Sequence, residues 1–267
     1  MRTISNLFVF AHQDDEMAAV SRIAFEADRG SLVHCVFLTD GTAGDVSADI
    51  RNRESIAVLT HLGVDVSRIL FIGSEIPIRD GTLVDHLDLA LGQFESRMKG
   101  IEVSSIYCLA WEGGHQDHDA SHLIAAAFAQ RRGMIDRCCE MPLYHGAGTV
   151  GPFFRVFSPT GKRKEWDARR LKFGEGLRLS LLAWRYRSQR SSWLGLFPEA
   201  FLKLAILRRE LVRRVDPSRF RERPHSGPLL YERRFRFPHE RFAKAAAAFI
   251  DDHFPRVAKG PPPVSLR

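Results

Sequence analysis

The 267-residue sequence predicts an α/β protein: a Rossmann-like three-layer sandwich around a mostly parallel sheet, with a helix-rich, basic C-terminal region. Three observations lead there. Short apolar runs alternate with helical spacing through the first 150 residues, the pattern of a doubly wound parallel sheet. The chain, 45% hydrophobic and 27% charged, is long enough to bury a core, which excludes disorder and a stapled mini-protein. Polar clusters interrupt the apolar pattern just beyond two of the predicted strands, where parallel sheets gather their functional loops.

The elements follow in order. Ile4–Phe10 is an apolar strand that stops at Ala11-His12, and Ala18–Ala27 is a helix closed by Arg29-Gly30. Leu32–Leu38 is a second strand, Asp49–Leu62 a helix ended by Gly63, and Arg68–Ile72 a third strand. Asp85–Lys99 is a helix, Ser104–Ala110 a fourth strand, and Ser121–Arg131 an alanine-rich helix. Beyond residue 150 the spacing predicts helices over Gly174–Trp184 and Glu199–Val215, with a connector at Ser188–Trp193 between them. A strand over Leu229–Phe237 and a helix over Arg241–Ile250 follow. Residues 1–257 are expected to form one domain with a basic helical elaboration at 151–230, and residues 258–267, with three consecutive prolines, a loose tail.

Composition narrows the function. No apolar run approaches the ~18 residues of a membrane span, and the N-terminus meets acids too early for a signal peptide. Cys35, Cys108, Cys138 and Cys139 have no framework spacing, so reduced thiols and a cytoplasmic location are expected. The net charge of +7 hides an asymmetry: residues 1–150 carry 12 Lys+Arg and 21 Asp+Glu, residues 151–237 carry 22 and 8. The arginine-rich part suits a phosphorylated substrate, a membrane surface, a nucleic acid or the acidic half of the same fold. The predicted 199–215 helix is amphipathic, ordinarily a core-docked helix with a solvated face; the alternative is contact with an inner membrane surface, with Trp193 and Phe197 as interfacial anchors. No helix-turn-helix, finger or RNA-binding signature supports a nucleic-acid module.

The first polar cluster is His12-Gln13-Asp14-Asp15-Glu16. A histidine and three acids after a buried strand are costly unless a cation neutralises them. The three-residue spacing of His12 and Asp15 puts both on one side of a turn, leaving Asp14 close by and free to take a proton. The second cluster is Gly113-Gly114-His115-Gln116-Asp117-His118-Asp119, where His115 and His118 repeat that spacing. Its two glycines would let the backbone approach a ligand closely. Two histidines and a carboxylate with an open position are the ligand set of catalytic zinc. His118 with His122, four apart, is a weaker alternative that leaves His12 and Asp15 without a role. His34, His61, His86, His145, His225, His239 and His253 read as ordinary histidines.

Together the two motifs resemble the PIG-L or LmbE-like family of zinc-dependent deacetylases of N-acetylglucosamine-type substrates. The family's A-H-P-D-D-E stands here as Ala11-His12-Gln13-Asp14-Asp15-Glu16 and its H-P-D-H as His115-Gln116-Asp117-His118, with glutamine in both places where the family usually has proline. Thr39-Asp40-Gly41, Arg51-x-x-Glu54 with Leu62-Gly63-Val64, and Tyr186-x-Ser188-Gln189 are further similarities. The resemblance implies that His12, Asp15 and His118 hold zinc, or Fe2+ on the same ligands. It makes Asp14 the general base and a cationic His115 the oxyanion stabiliser or proton donor, oriented by Asp117. Arg51, or Arg53 beside it, would meet the substrate. The implied substrate is a small N-acetylated amino sugar, free or linked to phosphate, nucleotide or lipid, with a sugar–thiol conjugate as the alternative amide.

Overall fold

The computed structural model describes residues 4–42 and 46–255; the expected tail at 258–267 lies outside them. Among the described residues there are nine strands: β1 Ser5–Phe10, β2 Leu32–Phe37, β3 Ile69–Phe71, β4 Ser105–Leu109, β5 Cys138–Met141, β6 Tyr144–His145, β7 Arg155–Val156, β8 Asp167–Arg170 and β9 Arg209–Arg214. Seven form one sheet in the order β3-β2-β1-β4-β5-β9-β8, while β6 and β7 pair separately. Strands β1 to β5 run parallel, and β9 and β8 extend the sheet antiparallel. The helices are α1 Val20–Asp28, α2 Ala48–His61, α3 Ile72–Glu75, α4 Leu87–Arg97, α5 Gln116–Arg131, α6 Glu175–Ser180, α7 Arg190–Phe201, α8 Leu230–Arg234 and α9 His239–His253.

Alternation along β1 divides the interior in two. Leu7 and Val9 enter a core with residues of α4, α5 and α9, while Phe8 and Phe10 enter another with residues of α1, α2, α6 and α7. Successive side chains of a strand point to opposite faces, so one strand serves both layers. The result is the expected three-layer α/β arrangement. It sets β1 beside β4, with Phe8 opposite Tyr107, at the place where the strand order reverses direction.

Three expectations need correction. The predicted helix over 199–215 is instead the end of α7, a π turn at Leu202–Ile206, and β9. Arg208 at φ 51° breaks the helix, and β9 then pairs with β5 and β8, sheet pairing overriding helical propensity. Leu229–Phe237 is not a strand: Glu232 accepts from the Leu229 N–H at 2.8 Å and caps α8, and Arg236 at φ 53° follows it. The 188–193 connector is in part the first turn of α7. Among the described residues no helix is long and apolar enough to cross a membrane. All four cysteines are free.

The C-terminal strands are bound to the front of the chain by Glu210, which is 3% exposed. It accepts from Ser21 Oγ at 2.5 Å and pairs with Arg22 at 2.6 Å and Arg169 at 2.7 Å. Removing one partner of a buried ionic cluster leaves the others uncompensated, at about 3–5 kcal/mol. Glu210→Ala should therefore lower stability by about 3 kcal/mol in urea denaturation; a loss below about 1 kcal/mol would contradict this role for the cluster.

Candidate metal centre

Both polar clusters sit at the C-terminal ends of adjacent strands, the first after β1 and the second after β4. His12 follows β1 directly; His115 is the N-cap of α5 and His118 lies in its first turn. Helix α5 begins five residues earlier than the alanine-rich pattern predicts, which aims the His118 side chain back toward β1.

The rings of His12, His115 and His118 stand 4.8–5.3 Å apart in every pairing. Asp15 lies between two of them, its Oδ2 3.4 Å from His12 Nδ1 and its Oδ1 3.1 Å from His118 Nε2. Among the described residues, His12, His115 and His118 offer ligand atoms within 4.8 Å of one another, as do His12, Asp80, His115 and Asp117, so the cluster could hold a metal ion. The other nitrogen of His12, Nε2, is 3.1 Å from Asp117 Oδ2. Such a carboxylate fixes the tautomer that leaves Nδ1 free to ligate. Asp117 is itself held by the backbone N–H groups of Gly81 at 2.5 Å and Leu83 at 3.1 Å.

The Asp117 carboxylate thus contacts His12, while its backbone N–H donates to His115 Nδ1 at 3.2 Å. His115 consequently carries its hydrogen on Nε2, which lies 3.5 Å from Asp80 Oδ1. Burial and the neighbouring His12 push the His115 imidazole down to about 4. Burial also disfavours charge on His12, but Asp80 and Asp15 more than offset it and hold the ring well above its ordinary value. Asp15 is pushed up by burial and pulled further down by His118 and His12, so it remains ionised.

Asp14 adopts φ 111°, where an L-residue is strained, and its backbone N–H donates to Glu16 Oε2 at 2.8 Å. Its Oδ1 accepts from Arg51 Nη2 at 3.1 Å and its Oδ2 from Trp193 Nε1 at 3.0 Å. Burial raises the carboxyl, Arg51 opposes it, and the balance lies at about 7. Arg51 is buried and also donates to the carbonyls of Gln13 and Gly41; Arg53 is exposed and takes no part. His122 is occupied with the Leu109 carbonyl at 2.7 Å and does not join His118.

A cavity of about 210 Å³ opens over these groups. Its wall includes Asp80, Tyr144, Gln189, Ser192, Trp193 and Arg234, none of which the sequence marked for the pocket. Asp80 sits in an ordinary-looking Arg-Asp-Gly turn. Trp193, expected at a membrane interface, is 1% exposed and turned onto Asp14. Gly114 answers to packing rather than to a ligand, since a Cβ there would come within 2.0 Å of the Tyr144 carbonyl oxygen. Ser188 donates to Glu54 through its N–H at 3.0 Å and its hydroxyl at 2.6 Å, joining two elements of the sequence resemblance.

Comparison with known proteins agrees with this geometry. Residues 7–129 match the family model described as PIG-L: GlcNAc-PI de-N-acetylase. No curated protein matches the chain. Similar solved structures include a deacetylase of the teicoplanin biosynthesis pathway, 17% identical with a TM-score of 0.59 over 79% of this chain and 99% of that one. A zinc-inhibited form of a teicoplanin deacetylase is 16% identical, with the same score and coverages. The N,N'-diacetylchitobiose deacetylase of Pyrococcus horikoshii is 18% identical, with a TM-score of 0.55 over 85% of this chain and 88% of that one. These structures share the fold. Residues 7–129, which hold both polar clusters, are thus a PIG-L-type region, as the two motifs indicate.

Asp117→Asn should leave the fold intact and weaken divalent-metal binding by about 10–100-fold in competition with a chelating dye. Unchanged affinity would show that the His12–Asp117 contact does not support a ligand.

Proposed function

We propose that the protein is a metal-dependent N-deacetylase that hydrolyses the N-acetyl group of an amino sugar or its conjugate, with residues 1–257 acting as one domain. The observation that carries this reading is the convergence of His12, Asp15 and His118 beside a separate half-buried carboxyl, Asp14, in one cavity. In this reading those three residues hold Zn2+, and Fe2+ suits the same donors. A bound ion of this kind would supply Lewis acidity, making water at the site acidic enough to lose a proton near neutral pH.

The remaining chemistry belongs to the chain. Asp14, with a pKa near 7, is matched to removing a proton from the attacking water at neutral pH. Arg51 and Trp193 fix both of its oxygens, so the base is positioned before substrate arrives. His115, neutral with its hydrogen on Nε2, donates to the oxyanion that forms on the acetyl carbonyl, a contact typically worth about 3 kcal/mol. The departing amine then recovers the proton from Asp14.

The cavity is smaller than the ~300–1,000 Å³ of most ligand pockets, which favours a compact acetamido group over a long acyl chain. A neighbouring cavity of about 430 Å³ shares Ser192 and Arg234 with it and offers room for what the sugar carries. Arg234, exposed on the shared wall, suits a phosphate-bearing conjugate.

Metal analysis with an amine-release assay on free, nucleotide-linked and lipid-linked N-acetylglucosamine tests this reading. Chelation should abolish release and added zinc restore it, while Asp14→Asn should keep its metal and lose about 10²–10⁴-fold in kcat. Wild-type turnover by Asp14→Asn would overturn the assignment of the base. Trp193→Phe, which removes only the N–H aimed at Asp14, should lower kcat with little change in KM; an unchanged kcat would mean that the contact is not needed for turnover.

A further inference from the structure

Helix α6 and the α7–π segment form a paired unit on the outside of the molecule. Leu171 N–H donates to the Arg208 carbonyl at 2.9 Å, a Cβ at Gly176 would collide with the Leu204 carbonyl, and the Trp184 and Phe197 rings are 4.8 Å apart. Both helices bury one edge in the same core, through Leu179, Leu182 and Ala183 on one side and Leu196, Ala200 and Leu204 on the other. Their opposite edges therefore face outward together.

Those outward edges are apolar. Phe173 is 93% exposed, Leu177 45%, Leu181 49%, Leu202 44% and Ile206 59%. Leu177 lies in α6, with Phe173 in the turn before it and Leu181 in the turn after it, and Leu202 and Ile206 share the π turn. Residues 171–209 also carry eight Lys and Arg against two acids, Glu175 and Glu199. Both acids are already engaged, with the Lys172 N–H and Arg169 and with the Val156 N–H and Lys203. Lys172, Arg178, Arg185, Arg208 and Arg209 make no ion pair among the described residues.

We propose that this two-helix face docks on an anionic lipid surface, with Phe173, Leu177, Leu181, Leu202 and Ile206 entering the acyl boundary and the surrounding cations meeting the headgroups. Exposed apolar area of this kind marks an interaction site. Its basic surround selects a negatively charged partner and disfavours a second copy of the same face. The aliphatic side chains select hydrocarbon, because a nucleic acid would leave Leu177, Leu181, Leu202 and Ile206 without a partner, whereas a bilayer satisfies both features. Of the Trp193 and Phe197 positions expected from the sequence, Trp193 takes no part, because it is turned inward onto Asp14.

Co-sedimentation of the full chain with vesicles tests the proposal. It should bind vesicles of equimolar phosphatidylcholine and phosphatidylserine and bind pure phosphatidylcholine at least about 10-fold more weakly. The variant Phe173→Ser/Leu177→Ser/Ile206→Ser should lose binding to the anionic vesicles while keeping the melting temperature and amine release on a soluble substrate. As a check independent of that variant, Phe173→Trp should show a blue-shifted emission on addition of anionic vesicles. Absence of vesicle binding, binding that survives the triple change, or an unshifted emission would each overturn the proposal; capture of an acidic protein or an oligonucleotide in place of vesicles would do the same.

Discussion

Asp15 is the hinge of the site. One carboxylate stands between His12 Nδ1 and His118 Nε2, and it also accepts from the His12 backbone N–H at 2.7 Å. Residues more than a hundred positions apart are thereby drawn to one point, which is feasible only because β1 and β4 are neighbours in the sheet. The left-handed turn at Asp14 follows from the same requirement. With Asp15 turned in toward the two imidazoles, the preceding carboxyl is directed into the cavity, where Arg51 and Trp193 receive it.

The charge asymmetry along the chain acquires a structural reading. Acids of the front half meet arginines of the back half: Glu140 pairs with Arg213 and Arg219, and Arg22 pairs in the opposite sense with Glu210. Part of the basic excess therefore binds the antiparallel extension to the parallel sheet, as the reading of two complementary halves anticipates. Several of the cations that make no ion pair among the described residues, Lys172, Arg178, Arg208 and Arg209 among them, lie on or beside α6 and the π turn. The C-terminal region is accordingly both a support for the site, through Trp193 and Ser188, and a surface of its own.

Much of this was legible in the sequence, for physical reasons. The parallel strands β1, β2 and β4 announce themselves as apolar runs because both of their faces are buried. The two polar clusters stand out because buried acids and histidines are costly without a cation. What escaped has equally physical causes. Strand β5, with two cysteines and a glutamate, lacks the apolar signature, and its Glu140 is tolerated only because Arg213 and Arg219 arrive from β9 and the turn after it. Arg208 and the sheet partners of β9 ended a helix that local spacing would have continued. Asp80 and Trp193 carry no local signal at all, since each gains its place from contacts formed only once the chain has folded. The contact of Asp117 with His12 likewise depends on which strand lies beside β4.

X-ray absorption of the zinc-loaded protein tests the central claim most directly. The account predicts a first shell of nitrogen and oxygen only, at about 2.0–2.1 Å, with the outer-shell scattering of two imidazoles, one of which disappears in His118→Ala. A sulfur shell, or imidazole scattering that is indifferent to His12 and His118, would contradict it.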